Sequence, residues 1–244
     1  MKLILMKEKG FKSIYNSTLY VIREICIITI GLVIALQITN WSENKRNEKI
    51  ALNYLVKIKS NIETDISVLD ALISKRKETL YKCETMISYY QNQKIDDYRL
   101  FEKGFFEIFI EEGFVSNNIA YESLLNSGFL KNINDFTIED NLNRYYANTD
   151  KVSFVEEKFS TSTQYVEELL KEKGFSIEFQ EAFRLNNKKE VDFNYTKLKK
   201  YPDLYSHLIH SRVFLKELIE LYNALKKDAE NTVFVLSDIT DIKS

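Results

Sequence analysis

The chain has 244 residues, 29% of them charged, and a formal net charge of −2. That balance carries no dominant basic patch, which excludes nucleic acid as the main partner. Two cysteines, Cys26 and Cys83, supply neither a disulfide framework nor a structural zinc site by themselves, and one proline with six glycines favours long helices over a many-stranded sandwich.

Residues 1–18 are basic, with Lys2, Lys7, Lys9 and Lys12. Residues 25–42 then carry no charge at all. With the lead-in from Leu19, the run 19–41 is long enough to cross a bilayer as a helix of roughly 20 residues. Tyr20 and Trp41 stand at its two ends as interface anchors. Arg23 and Glu24 are ionisable groups just inside one end, where Arg23 can snorkel to the headgroups. A buried core helix and a cleaved signal peptide are the competing readings. No small-residue cleavage site follows the apolar run, so a retained signal anchor is expected. Lysine and arginine are denser before the span than after it. This places the N-terminus in the cytoplasm and residues 42–244 in the periplasm, across the inner (cytoplasmic) membrane.

Over residues 50–90 apolar side chains recur at steps of three and four. Leu52, Leu55, Ile58, Ile62, Ile66, Leu69, Leu72 and Ile73 form one stripe, continued by Leu80, Cys83, Met86, Ile87 and Tyr90. Lys57, Lys59, Glu63, Asp65, Lys75 and Lys77 are expected on other faces. The polar stretch 40–47 leaves two readings open, a helix unbroken from the membrane outward or a break there.

From Asn92 to Ser116 the pattern loosens, with a short aromatic helix expected between Gly104 and Gly113. Asn117 or Asn118 can cap a helix over 119–126, with Gly128 as its left-handed stop. Thr137 and Asp140 resemble a capping box for a long helix reaching about Glu172 and stopped by Gly174. Leu142, Tyr145, Tyr146, Phe154, Phe159, Val166, Leu169 and Leu170 are its expected buried side. Residues 175–201 are irregular. Pro202 suits the first turn of a last helix through Leu204, Leu208, Phe214, Leu215, Leu218, Leu221, Tyr222 and Leu225, extended by residues 233–236. The expected fold is all-α, an N-terminal transmembrane helix followed by an elongated antiparallel helical bundle.

Two stretches carry a family resemblance. The first runs from Glu24 through Gly31 and Ala35-Leu36-Gln37 to Asn40-Trp41 and Glu43-Asn44. The second is Ala120-Tyr121-Glu122, then Leu124 and Ser127-Gly128. The chain resembles a family from Bacteroidota catalogued as a domain of unknown function, family 6090. Arg23 departs from that family's pattern, which has a small residue before the glutamate. The resemblance implies a membrane-anchored, mainly helical protein and lends no activity.

Glu24 is the sharpest mechanistic candidate, because an ionisable group inside a span is costly to bury. Its plainer reading is a boundary residue at the headgroups or paired with Arg23. His207 and His210 lie three apart on one helix but lack a clear third metal ligand. The aromatic residues could line a ligand cavity, and at helical spacing they read more simply as core. Tyr121, Glu122 and Gly128 are a candidate interaction surface, against a plainer reading as packing and a helix stop. No phosphate-cradling glycine loop, nucleophile elbow or Cys-His arrangement occurs. The expected function is a membrane-anchored scaffold or protein-protein interaction module of the bacterial envelope. Its partners would be membrane lipid and either another protein or a second copy. A sensor or ligand-binding helical domain is the alternative. No catalytic activity, cofactor or metal is inferred.

Overall fold

The computed structural model describes residues 2–92, 108–109, 112–133, 135–175 and 202–242. They form helix α1 (Lys2–Asn92), helix α2 (Ile119–Ser127), a 3-10 turn (Phe129–Asn132), helix α3 (Phe136–Leu170), a π-helical turn (Lys171–Phe175) and helix α4 (Pro202–Ile242). No strand occurs among the described residues. The expected aromatic helix near residues 105–110 and the irregular segment 176–201 lie outside the described residues, apart from Ile108 and Phe109, whose side chains are buried. The chain divides into two compact units, Met1–Asn53 with Ser127–Asn134, and Tyr54–Asn126 with Asp135–Ser244.

In the first unit, α1 is exposed all along its apolar run. It continues through residues 40–47 without a break, because nothing there forbids helix: no proline, no glycine, and several good helix formers. Two threonines sit inside the apolar run. Thr29 Oγ1 donates to the Ile25 carbonyl at 2.8 Å, and Thr39 Oγ1 to the Ala35 carbonyl at 3.0 Å. Each hydroxyl thus uses its donor on its own helix, which removes the cost of carrying it into an apolar medium. Gly128, with φ 69 and ψ 11, is the left-handed residue after α2. The turn that follows closes through the Ile133 N–H on the Leu130 carbonyl at 3.0 Å.

In the second unit, three helical seams repeat at alternating steps of three and four. On α1 the buried series is Leu55, Ile58, Ile62, Asp65, Leu69, Leu72, Arg76, Thr79, Cys83 and Met86. On α3 it is Ile138, Leu142, Tyr145, Thr149, Val152, then half-buried Glu156, then Phe159, Thr163, Val166 and Leu170. On α4 it is Leu204, Leu208, Ser211, Leu215, Leu218, Tyr222, Leu225, Ala229, Thr232 and Leu236. Each fully buried Leu or Ile contributes about 2 kcal/mol of transfer free energy. Contacts between the helices include Asp70 with Lys226 at 2.6 Å and Glu84 with Lys216 at 2.9 Å from α1 to α4. From α3 to α4, Asn148 Nδ2 donates to Asp228 at 2.7 Å, and Phe159 packs on Phe214.

Several expectations need correcting. Asp65 is not on an outer face; it is 2% exposed and sits in the α1 seam. Phe154 is exposed rather than buried, with the Lys158 ammonium 4.2 Å above its ring. It lies two residues off the seam, on the solvent side of α3. The cap of α3 is Asp135, not Thr137: its carboxylate accepts from the Thr137 N–H at 2.8 Å and the helix begins at Phe136. Asn118 starts α2 through its backbone, the carbonyl accepting from Glu122 N–H at 2.9 Å, while its side-chain amide donates to the Glu122 carboxylate at 2.6 Å. Pro202 and Gly174 stand where expected, Gly174 at φ 92.

Asp135→Ala should lower stability by about 1 kcal/mol, and Asp135→Asn by much less, because only the first removes the capping oxygen. Urea titration of the full chain in mild detergent, followed by helical circular dichroism, checks this; equal losses would mean the cap is not what starts α3.

Candidate functional site

Two features of the chain stand out from ordinary helix packing. The first is the exposed apolar run of α1. Within Tyr20–Asn92 an 18-residue window is apolar enough to cross a membrane, and none of it is buried. Tyr20 and Trp41 are each 65% exposed at its ends. Arg23 and Glu24 are exposed near its start. A soluble helix would hide such a surface, since contiguous apolar patches of this size are rarely left in water.

The second feature is a strap, residues 112–118, held by two carboxylates in the helical seams. Asp65 of α1 accepts the Asn117 N–H with both oxygens, each at 3.2 Å, and the Tyr145 hydroxyl of α3 at 2.8 Å. Glu156 of α3 accepts the Phe114 N–H at 2.8 Å and the Tyr222 hydroxyl of α4. Each clip therefore joins one backbone N–H of the strap, one carboxylate and one tyrosine from a different helix. Further bonds run along the strap. Asn61 Nδ2 donates to the Asn117 carbonyl at 3.2 Å, Arg76 to the Glu112 carbonyl, and Lys75 pairs with the Glu112 carboxylate at 2.6 Å. Gly113 lets the strap pass close to Glu156: a Cβ on it would lie 2.9 Å from Oε2 and would push that carboxylate aside.

Electrostatics follow from burial. Desolvation raises the Asp65 and Glu156 carboxyls above their ordinary range, against the opposing pull of their hydrogen bonds. Arg76, 4% exposed, lies beside Glu156 and favours its ionised form. Its Nε and the Tyr146 hydroxyl find no hydrogen-bond partner among the described residues. Both oxygens of Asp65 and the Oε1 of Glu156 are occupied by these bonds, so the two carboxylates fasten the strap to the helices.

The histidines separate. His210 is exposed, while His207 is buried, stacked on Phe109 at 5.5 Å and 3.3 Å from Ser211 Oγ. Burial pushes the His207 imidazole down to about 4. Cys83 Sγ donates to the Leu208 carbonyl at 3.2 Å, and burial pushes its thiol up to about 12, so it is a poor nucleophile there. No group of three or more His, Cys, Asp or Glu able to hold a metal occurs among the described residues.

Of the expected interaction surface, Tyr121 is corrected. Its ring is buried flat on Tyr146, centroids 4.0 Å apart, and its hydroxyl donates to Asn143 at 2.6 Å. Glu122 is exposed, and Gly128 is the stop of α2. The seam positions of Asp65, Arg76 and Glu156 escaped the sequence reading, which had Tyr222 on the apolar side of the last helix but not its bond to Glu156. The signal was available for Asp65 and Arg76: both fall on the three-four phase of the α1 stripe, where the residue type alone argued for the surface.

The model of a family of unknown function, DUF6090, matches residues 24–152, more than half of the chain. The chain belongs to this family. The DUF6090 match begins at Glu24 inside the apolar run and includes Asp65, Asn117 and Tyr145, while Glu156 and Tyr222 lie beyond it. No curated protein and no solved structure matches the chain.

The pH dependence of stability separates these groups. His207 binds a proton more readily unfolded than folded, so its stabilising contribution is whole above about pH 6.5 and is lost as pH falls through about 4. The full shift is worth about 3 kcal/mol. Asp65 and Glu156 act with opposite sign, since the penalty of keeping them ionised disappears as pH falls through their raised folded values. His207→Gln should therefore be less stable at pH 7 yet lose less on acidification than the parent, measured as urea midpoints between pH 7 and 4. Parallel losses would show that His207 takes up its proton as readily folded as unfolded.

Proposed function

We propose that this protein is a single-span scaffold of the bacterial envelope, with residues 19–41 crossing the inner membrane, 1–18 in the cytoplasm and 42–244 in the periplasm. The observation that carries the reading is the uncharged run of α1, exposed along its whole length. The basic residues before the run support the orientation. The Bacteroidota resemblance fits an envelope with a periplasm.

The helical domain works by protein-protein contact, with a partner or a second copy, and without catalysis or a cofactor. Its three seams form an elongated coiled-coil bundle. Pairings support antiparallel first and last helices: Asp70 with Lys226, Glu84 with Lys216, and Gln91 with Tyr205, numbers rising on α1 as they fall on α4. The α3 helix runs parallel to α1, since Asp65 meets Tyr145 and Arg76 lies beside Glu156. The strap is then the return segment that such a parallel pair demands. Two carboxylate clips across the seams and a strap fastened by them suit a rigid spacer better than a pocket. The ligand-binding alternative would use the cleft beside the strap, lined by Thr64, Val68, Ala71, Leu72, Lys75 and Gly113 among others.

A reporter active only in the periplasm, fused after Ser244, should be active, and a cytoplasmic reporter at the same place silent. The opposite pattern reverses the topology. Glu24→Gln is expected to leave protein level and membrane insertion unchanged if Glu24 is a boundary residue. Loss of a knockout-complementing phenotype, with level and assembly intact, would instead make Glu24 mechanistic.

A further inference from the structure

A small cleft opens in the first unit directly after the apolar run. It is lined by Trp41, Asn44, Lys45, Glu48 and Asn132. Four of these stand on α1 within about 10 Å of helix, the seven steps from Trp41 to Glu48 at about 1.5 Å each. That distance is close to the polar headgroup layer, roughly 5–8 Å per leaflet. Trp41 marks the apolar edge of the cleft and the charged pair its wet side.

The chemistry of the walls narrows the occupant. Lys45 Nζ and Glu48 Oε2 are 3.1 Å apart, with Lys45 largely exposed. A free anion attracted by Lys45 meets the Glu48 carboxylate, and a free cation attracted by Glu48 meets the ammonium. A group carrying both signs a few ångströms apart satisfies the two together. Asn132 lines the cleft too; its Nδ2 lies just beneath the wall and finds no hydrogen-bond partner among the described residues, so a small rotation of the side chain would turn that donor toward an occupant. A phosphate oxygen is a suitable acceptor for it.

We infer that this cleft binds the headgroup of a zwitterionic phospholipid, of the phosphoethanolamine type, its phosphate toward Lys45 and Asn132 and its amine toward Glu48. The inference rests on the membrane-spanning reading of α1. Such a headgroup would fix the depth and rotation of the helix where it leaves the bilayer, which a stripe of lipid-facing isoleucines cannot do.

Trp41 is the only tryptophan of the chain, so its fluorescence reports this cleft alone. The full-length protein is placed in phosphatidylcholine nanodiscs. These carry an equal mole fraction of acyl-brominated phosphatidylethanolamine, phosphatidylcholine or phosphatidylglycerol. Brominated phosphatidylethanolamine should quench Trp41 as if locally enriched by roughly two- to fivefold over the other two, the size that exposed charge pairs give. Lys45→Gln and Glu48→Gln should each abolish the enrichment, and Lys49→Gln should leave it intact.

Equal quenching by all three lipids overturns the inference and leaves the membrane span standing. Preference for phosphatidylglycerol overturns it in favour of plain attraction to Lys45. Displacement of the brominated lipid by micromolar soluble phosphoethanolamine would assign the cleft to a free zwitterion and overturn the lipid reading. Absence of quenching by any lipid overturns the span itself.

Discussion

The helical unit depends on two carboxylates placed where aliphatic residues would ordinarily sit. Asp65 and Glu156 occupy seam positions of α1 and α3, and each is reached by a tyrosine from another helix and a backbone N–H from the strap. A purely aliphatic seam can slide by a heptad with little penalty, because one leucine layer resembles the next. A carboxylate that must meet a tyrosine cannot slide, since a slipped register leaves a buried charge without partners at a cost of several kcal/mol. Burial raises both carboxyls, the direction that follows from the desolvation the structure bears for that specificity.

The strap is fixed by the same logic. Residues 112–118 form no regular structure, so their backbone groups need partners from elsewhere. The helices supply them: Arg76 and Asn61 donate to two carbonyls, and the two carboxylates accept two N–H groups. Gly113 lets the chain pass close against Glu156. An irregular segment thereby becomes as determined in place as the helices it crosses.

Much of this was legible in the sequence, and the failures have one cause. Helix identity and stops followed from periodicity, Pro202, Gly128 and Gly174, because these are local. The apolar run was legible for the same reason. Asp65 was misplaced because a charged residue was assigned by type rather than by phase; the positions of Ile62 and Leu69 already put it between two buried layers. Tyr222 was legible as an apolar-face residue, but its bond to Glu156 was beyond a local reading, since the two lie 66 positions apart in the chain. Thr137 lost the cap to Asp135, two residues earlier, whose carboxylate accepts the N–H of Thr137 itself and so starts the helix ahead of it. Tyr121 looked like a surface motif residue and is a stacked core residue, a distinction only the position of Tyr146 decides.

The ion pair between Asp70 and Lys226 spans 156 positions of chain. Ribosomes add roughly 5–20 residues per second, so on the order of ten to thirty seconds separate the synthesis of one partner from that of the other. Through that interval the α1 seam has no α4 to cover it, and its leucines and isoleucines face whatever surrounds the nascent chain. The last helix to be made is the one that seals the first. A chain that stalls before residue 202 therefore presents an amphipathic helix with an open apolar stripe, a ready substrate for chaperones and proteases.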